Sequence, residues 1–132
     1  MKDHISDMLT RIRNGQKANL LEINLFWPTP NFCIKILILF QLHGFIRGFK
    51  KTVINNKLYI TVLLKYVGFQ NPIIKKIQRI STSGKRIYSS SRNLWKLNNG
   101  LGLFLISTPK GLLTDQEARF LNVGGEVICY IQ

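Results

Sequence analysis

Acidic residues are scarce in this chain. Six Asp and Glu stand against 19 Lys and Arg, a formal net charge of +13 over 132 residues. Nothing acidic lies between Glu22 and Asp115, so the many cations of that stretch have no carboxylate nearby in sequence. A charge of this size works against compaction unless a partner neutralises it. Nucleic acid is the commonest such polyanion, and an anionic membrane surface comes second. Only two cysteines occur, Cys33 and Cys129, both within apolar runs, which predicts buried free thiols. There is no CxxC, no HExxH and no Cys/His cluster, and His4 and His43 are far apart. No metal and no cofactor is therefore predicted. The apolar run Phe32 to Leu42 is too short to span a bilayer and contains Lys35. Asp3 and Asp7 at the N-terminus argue against a signal or import peptide. Walker loops, GxGxxG and paired carboxylates in the basic middle are missing, so catalysis is not predicted.

What is present describes a folded chain. The hydrophobic fraction is 45%, which excludes wholesale disorder. Ile5, Met8, Leu9 and Ile12 recur at helical spacing and predict a helix from Asp3, its N-cap, to about Asn19. Arg11 and Arg13 on this helix read either as surface charges or as phosphate contacts. Leu21 to Trp27 reads as a strand. Thr29 as N-cap and Pro30 at the first helical position start a second helix that stops at Gly44. That helix is apolar on nearly all sides, so it needs cover on more than one side. A buried strand over Ile36 to Phe40 is the competing reading. Phe45 to Ile54 and Lys57 to Tyr66 form a hairpin around Asn55-Asn56.

Gly68 to Pro72 reads as a linker. Ile73 to Ser81 reads as a strand, Ser83-Gly84 as a turn and Lys85 to Tyr88 as the returning strand. After a polar Ser89-Ser90-Ser91 loop, Trp95 and Leu97 lead into Asn98-Asn99-Gly100. The last third carries two apolar strands, Leu101 to Ile106 and Val127 to Ile131, separated by a short helix. Thr114-Asp115-Gln116-Glu117 is a capping box for that helix, and Gly124 lies just past its end. Two loops flank it: Ser107-Thr108-Pro109-Lys110-Gly111 and Asn122-Val123-Gly124-Gly125-Glu126. Their hydroxyls both donate and accept. Gly111, Gly124 and Gly125 lack a Cβ, so a partner can approach the backbone; tight turns are the plainer reading. The fold class is α+β: an N-terminal α-β-α-β-β part over 1–67, a linker over 68–72, and a mostly β part with one short helix over 73–132.

Several blocks carry a family likeness: Asp3-x-Ile5-x-Asp7 through Asn14, Ile77 to Ser81, Gly84-x-Arg86-Ile87-Tyr88, Gly100-Leu101-Gly102, Ser107-Thr108-x-Lys110-Gly111, Thr114-Asp115, Ala118-Arg119 and Gly124 to Tyr130. In order and spacing they resemble the S-eight family of small-subunit ribosomal proteins, bacterial type. The resemblance implies a two-part α/β protein that binds a hairpin in the central domain of small-subunit RNA and helps that domain assemble. It implies RNA contacts at Ser107, Thr108, Lys110, Gly111, Gly124, Gly125 and Glu126, with Tyr88 beside them. Pro109 departs from the family's usual small residue and removes a backbone donor. Ser83 and Lys85 replace the usual proline and apolar residue, and the helix Phe32 to Leu42 lacks the usual outer charges. A neighbouring ribosomal protein resting on that helix is the expected cover. Arg79, Lys85 and Arg86, with Lys75 and Lys76, are expected to position phosphates without reading sequence. Glu126 faces phosphates badly. It makes sense if it accepts from base amino groups or a 2′-hydroxyl, or braces a backbone amide. An enzyme acting on RNA and a peripheral membrane protein are the competing classes. Abundant Ile, Leu, Phe, Asn and Lys hint at an AT-rich genome, pointing to a mitochondrial ribosome, with plastid or bacterium as alternatives.

Overall fold

The computed structural model describes residues 3–69, 71–93 and 102–132. The Trp95–Leu97 segment, the Asn98-Asn99-Gly100 turn and Leu101 lie outside the described residues. Two compact units divide the chain, one ending at Lys75 and one beginning at Lys76.

In the first unit, α1 spans His4–Lys17 and α2 spans Asn31–Leu42. Strands β1 (Glu22–Asn24), β2 (Ile46–Ile54) and β3 (Lys57–Leu64) form an antiparallel sheet in the order β1-β3-β2. Asp3 caps α1 by accepting from the Ser6 amide, and the apolar face buries Met8, Leu9 and Ile12 completely. Asn55 and Asn56 both hold positive φ, 52° and 63°, which lets a two-residue turn join β2 to β3. Ile60, Val62 and Leu64 alternate onto the buried face of β3.

Sequence expectation and structure differ at several places here. Pro30, not Thr29, is the N-cap of α2; the Thr29 hydroxyl instead donates to the Phe26 carbonyl at 2.7 Å. Helix α2, apolar on nearly all sides, buries one stripe within the chain, Cys33, Ile36, Leu37 and Phe40, and leaves Ile38 and Leu42 exposed. Of the expected linker Gly68 to Pro72, Asn71 and Pro72 are strand, because β4 (Tyr66–Val67) pairs with β5 (Asn71–Pro72). The expected strand over Ile73 to Ser81 is short for a related reason. The Ile73 amide donates to the Lys65 carbonyl and the Ile74 amide to Oε1 of buried Gln16, so both residues belong to the first unit.

In the second unit, β6 (Ile77–Arg79), β7 (Tyr88–Ser89), β8 (Leu103–Thr108), β9 (Gly111–Thr114) and β10 (Gly125–Ile131) form one antiparallel sheet. The order is β6-β10-β8-β9, with β7 on the β6 side of β10. Strand β9 is absent from the sequence reading, which runs the hydroxyl loop straight into the helix. Helix α3 (Asp115–Phe120) covers one face, packing Ala118 onto Phe104, Ile106 and Val127. Thr114 is the N-cap as predicted, its hydroxyl accepting from the Glu117 amide, but the Glu117 carboxylate returns to the Thr114 hydroxyl, at 3.2 Å, and not to its amide as a full capping box would. The helix ends at Phe120 with Leu121 as its C-cap, and Asn122, with φ of 55°, rather than Gly124 takes the positive-φ position beyond it.

Candidate nucleic-acid interface

Antiparallel register sets the geometry of the site. Glu126 on β10 lies opposite Ser107 on β8 and opposite Tyr88 on β7. Residues directly opposite in an antiparallel ladder project on the same face. Ile106 and Val127, one residue away, point to the α3 side, so Tyr88, Glu126 and Ser107 form a row on the other face. Half of the residues in the expected loops are thus strand ends. Ser107 and Thr108 finish β8, Gly111 starts β9, and only Pro109 and Lys110 remain as the turn.

The two glycines next to Glu126 have an intrachain purpose. A Cβ on Gly125 would sit inside the Ser107 carbonyl group and 3.1 Å from Thr108 Cα. One on Gly124 would overlap the Ser89 carbonyl oxygen and lie 2.8 Å from Ser90 Cα. Glycine here lets β8 and the β7 end close on β10, an intrachain requirement that the sequence reading did not foresee. Gly111 differs, with open space around it and φ of 111°.

Hydroxyl roles also separate. The Thr108 hydroxyl is consumed by the turn, donating to the Gly111 carbonyl at 2.8 Å and accepting from the Lys110 amide at 3.1 Å. The Ser107 hydroxyl makes no hydrogen bond among the described residues and is half-buried. Tyr88 is 69% exposed and presents its ring to solvent. Lys110 and Lys85 are exposed, Lys85 in a tight turn closed by reciprocal backbone bonds with Thr82.

Glu126 is not bare. Its Oε2 accepts from the Ser81 hydroxyl at 2.5 Å and from Arg86 Nη1 at 2.9 Å. Burial pushes the carboxyl up. The Ser81 bond, the Arg86 bond and charge, and the Arg79 charge outweigh this and hold it below the ordinary carboxylate range. Arg86 is therefore paired with a carboxylate rather than free for phosphate. Arg79 Nη1 donates to the Ile128 carbonyl at 2.6 Å, which also ties it to the sheet. In the first unit, Arg11 bonds Asp7 and the Asn24 carbonyl, each at 3.0 Å, while Arg13 is exposed. Both sit on α1, in the other compact unit from the row. Ser81 is the residue the sequence reading missed. It is fully buried, and its hydroxyl also accepts from the Ile87 amide at 3.1 Å. That bond takes the Ile87 amide away from β10, although the Ile87 carbonyl still accepts from the Val127 amide at 2.9 Å, and β7 is shorter than the expected Lys85 to Tyr88 strand.

The charge balance completes the site. Asp3 is taken by a cap, Asp7 by Arg11, Glu22 by Lys50, Asp115 by Arg119 and the Phe104 amide, Glu117 by the Thr114 hydroxyl, and Glu126 by Arg86 and Ser81. Each of these six carboxylates is engaged within the chain, against a formal net charge of +13. Among the described residues no group of three or more His, Cys, Asp or Glu could hold a metal, and no helix is long and apolar enough to cross a membrane.

Fold and site define a small basic α+β protein in which a β-sheet displays a strip of donors and acceptors. The sequence model of ribosomal protein S8 matches residues 3–132. The chain belongs to that family. It is 44% identical over 131 residues to small ribosomal subunit protein uS8 of Pelagibacter ubique, covering 99% of this chain and 98% of the relative. The uS8 protein of Rickettsia massiliae is 43% identical over the same span and coverage, and that of Shewanella amazonensis is 44% identical over 132 residues.

Proposed function

We propose that this chain is a structural, non-catalytic constituent of the small ribosomal subunit, and that it binds a hairpin of the central domain of small-subunit RNA through the Tyr88–Glu126–Ser107 row. The row carries the reading. A regular A-form duplex offers only phosphates, 2′-hydroxyls and a shallow minor groove, so specific contact needs an opened, irregular core. An exposed ring, a free hydroxyl and a carboxylate acceptor on one face suit such a core. Lys85 and Lys110 supply phosphate contacts that orient the RNA. By binding early, the protein supports folding of that domain. A neighbouring ribosomal protein on α2 would cover Ile38 and Leu42. Residue usage favours an organellar, mitochondrial ribosome; synthesis that persists when cytosolic translation is blocked would support it, and a nuclear or bacterial gene would end it.

Gel-shift titration with the hairpin tests the site. Ser107→Ala and Glu126→Ala should each weaken binding by roughly 1–3 kcal/mol. Lys85→Ala and Lys110→Ala should instead flatten the salt dependence, by about 0.7–0.9 of a unit of log–log slope per contact. Wild-type affinity in both Ser107 and Glu126 variants would show that RNA is held elsewhere.

A further inference from the structure

Glu126 poses an electrostatic problem that the fold answers. A carboxylate beside a polyanion is repelled unless its charge is countered and its free lone pairs meet donors. Both intrachain donors, Ser81 Oγ and Arg86 Nη1, go to the same oxygen, Oε2. Oε1 makes no hydrogen bond among the described residues and is not a buried, unsatisfied atom. Ser81 is itself fixed, fully buried and bonded to the Ile87 amide one residue before Tyr88. One hydroxyl therefore links the β7 backbone to the Glu126 side chain.

We infer that Ser81 and Arg86 are positioning residues that hold Glu126 ionised, with Oε2 neutralised from within the chain and Oε1 kept as the single acceptor for an N–H or 2′-hydroxyl donor of the RNA. This rests on the RNA-binding reading above and adds two residues to it that act without touching RNA bases. It reassigns Arg86 from phosphate contact to charge compensation. The depressed titration of the carboxyl agrees with the geometry, since burial alone would have raised it.

The test is a double-mutant cycle read by hairpin affinity, with the Glu126 carboxyl titration in the free protein followed by carbon-13 NMR. Ser81→Ala should weaken binding about tenfold, the scale of a hydrogen bond to a charged group. In a Glu126→Gln background the same change should cost less than about twofold, because the group it positions is gone. The Glu126 carboxyl should titrate at higher pH in Ser81→Ala, and affinity should begin to fall at correspondingly higher pH. Equal losses in the two backgrounds, or an unmoved titration, would overturn the inference. Should Ser81→Ala fail to fold, Arg86→Gln, at a half-exposed position, carries the titration arm with the same expected upward shift. If Glu126→Gln and Ser107→Ala both bind as wild type, the RNA site itself is wrong and the inference falls with it. If they weaken binding while the cycle is additive, only the inference fails.

Discussion

Gly125 and Ser107 are in backbone contact across β10 and β8: a Cβ on Gly125 would collide with the Ser107 carbonyl, with carbonyl carbon and new Cβ only 2.8 Å apart. This contact brings the free hydroxyl of Ser107 level with Glu126 in the next ladder position. It also sets the spacing of the exposed row.

Gly125→Ala should therefore be costly in two ways. Overpacking of a closed site typically destabilises by about 1–3 kcal/mol, and separation of β8 from β10 should also abolish hairpin binding. Gly111→Ala meets no atom within 4 Å but must adopt φ of 111°. Its cost should be about 1–2 kcal/mol from backbone strain alone. Urea denaturation of both variants checks the magnitudes. Gly125→Ala with normal stability and normal binding would refute the close-approach account.

Acid should affect the two halves of the Glu126 pairing with a defined sign. Its folded carboxyl lies below its unfolded value, so the Ser81–Glu126–Arg86 link contributes stability above the unfolded carboxylate value, about 4.3. The contribution is lost as pH falls through the depressed folded value. Urea midpoints of wild type and Glu126→Gln should differ at neutral pH and converge in acid. A difference that grows on acidification would contradict the sign.

Both cysteines should be silent to thiol reagents in the folded protein. Cys33 and Cys129 have no exposed surface, and burial pushes the Cys129 thiol up to about 12 against a smaller opposing effect of Arg79. Labelling should proceed only on opening of the fold and speed up sharply in denaturant. Rapid labelling of either residue in native buffer would show that its strand or helix is not closed as described.

Much of the fold was legible because its signals are local. Asp3 and Thr114 announce helix starts through side-chain bonds to backbone three residues on, and Asn55-Asn56 announces a turn through the φ values asparagine tolerates. Strand β9 was not legible, since Leu112 and Leu113 are too short a run to separate a strand from a helix entry. Composition showed helix α2 as apolar all round but not which stripe, Cys33, Ile36, Leu37 and Phe40, packs within the chain. The extent of burial depends on what lies alongside, and no single segment carries that information.

The amino-acid order by itself determined the excess of positive charge, the caps at Asp3 and Thr114, the alternation of β3, and the family to which the chain belongs. Only tertiary structure decided what each candidate residue does. Registration of three strands set Tyr88, Glu126 and Ser107 in one row, turned Gly124 and Gly125 into packing residues, gave the Thr108 hydroxyl to a turn and joined Ser81 to a carboxylate 45 positions away. The physical reason is range. Caps and turns act over three or four residues, whereas the partners of a charge or a hydroxyl are chosen by pairing between segments far apart in the chain.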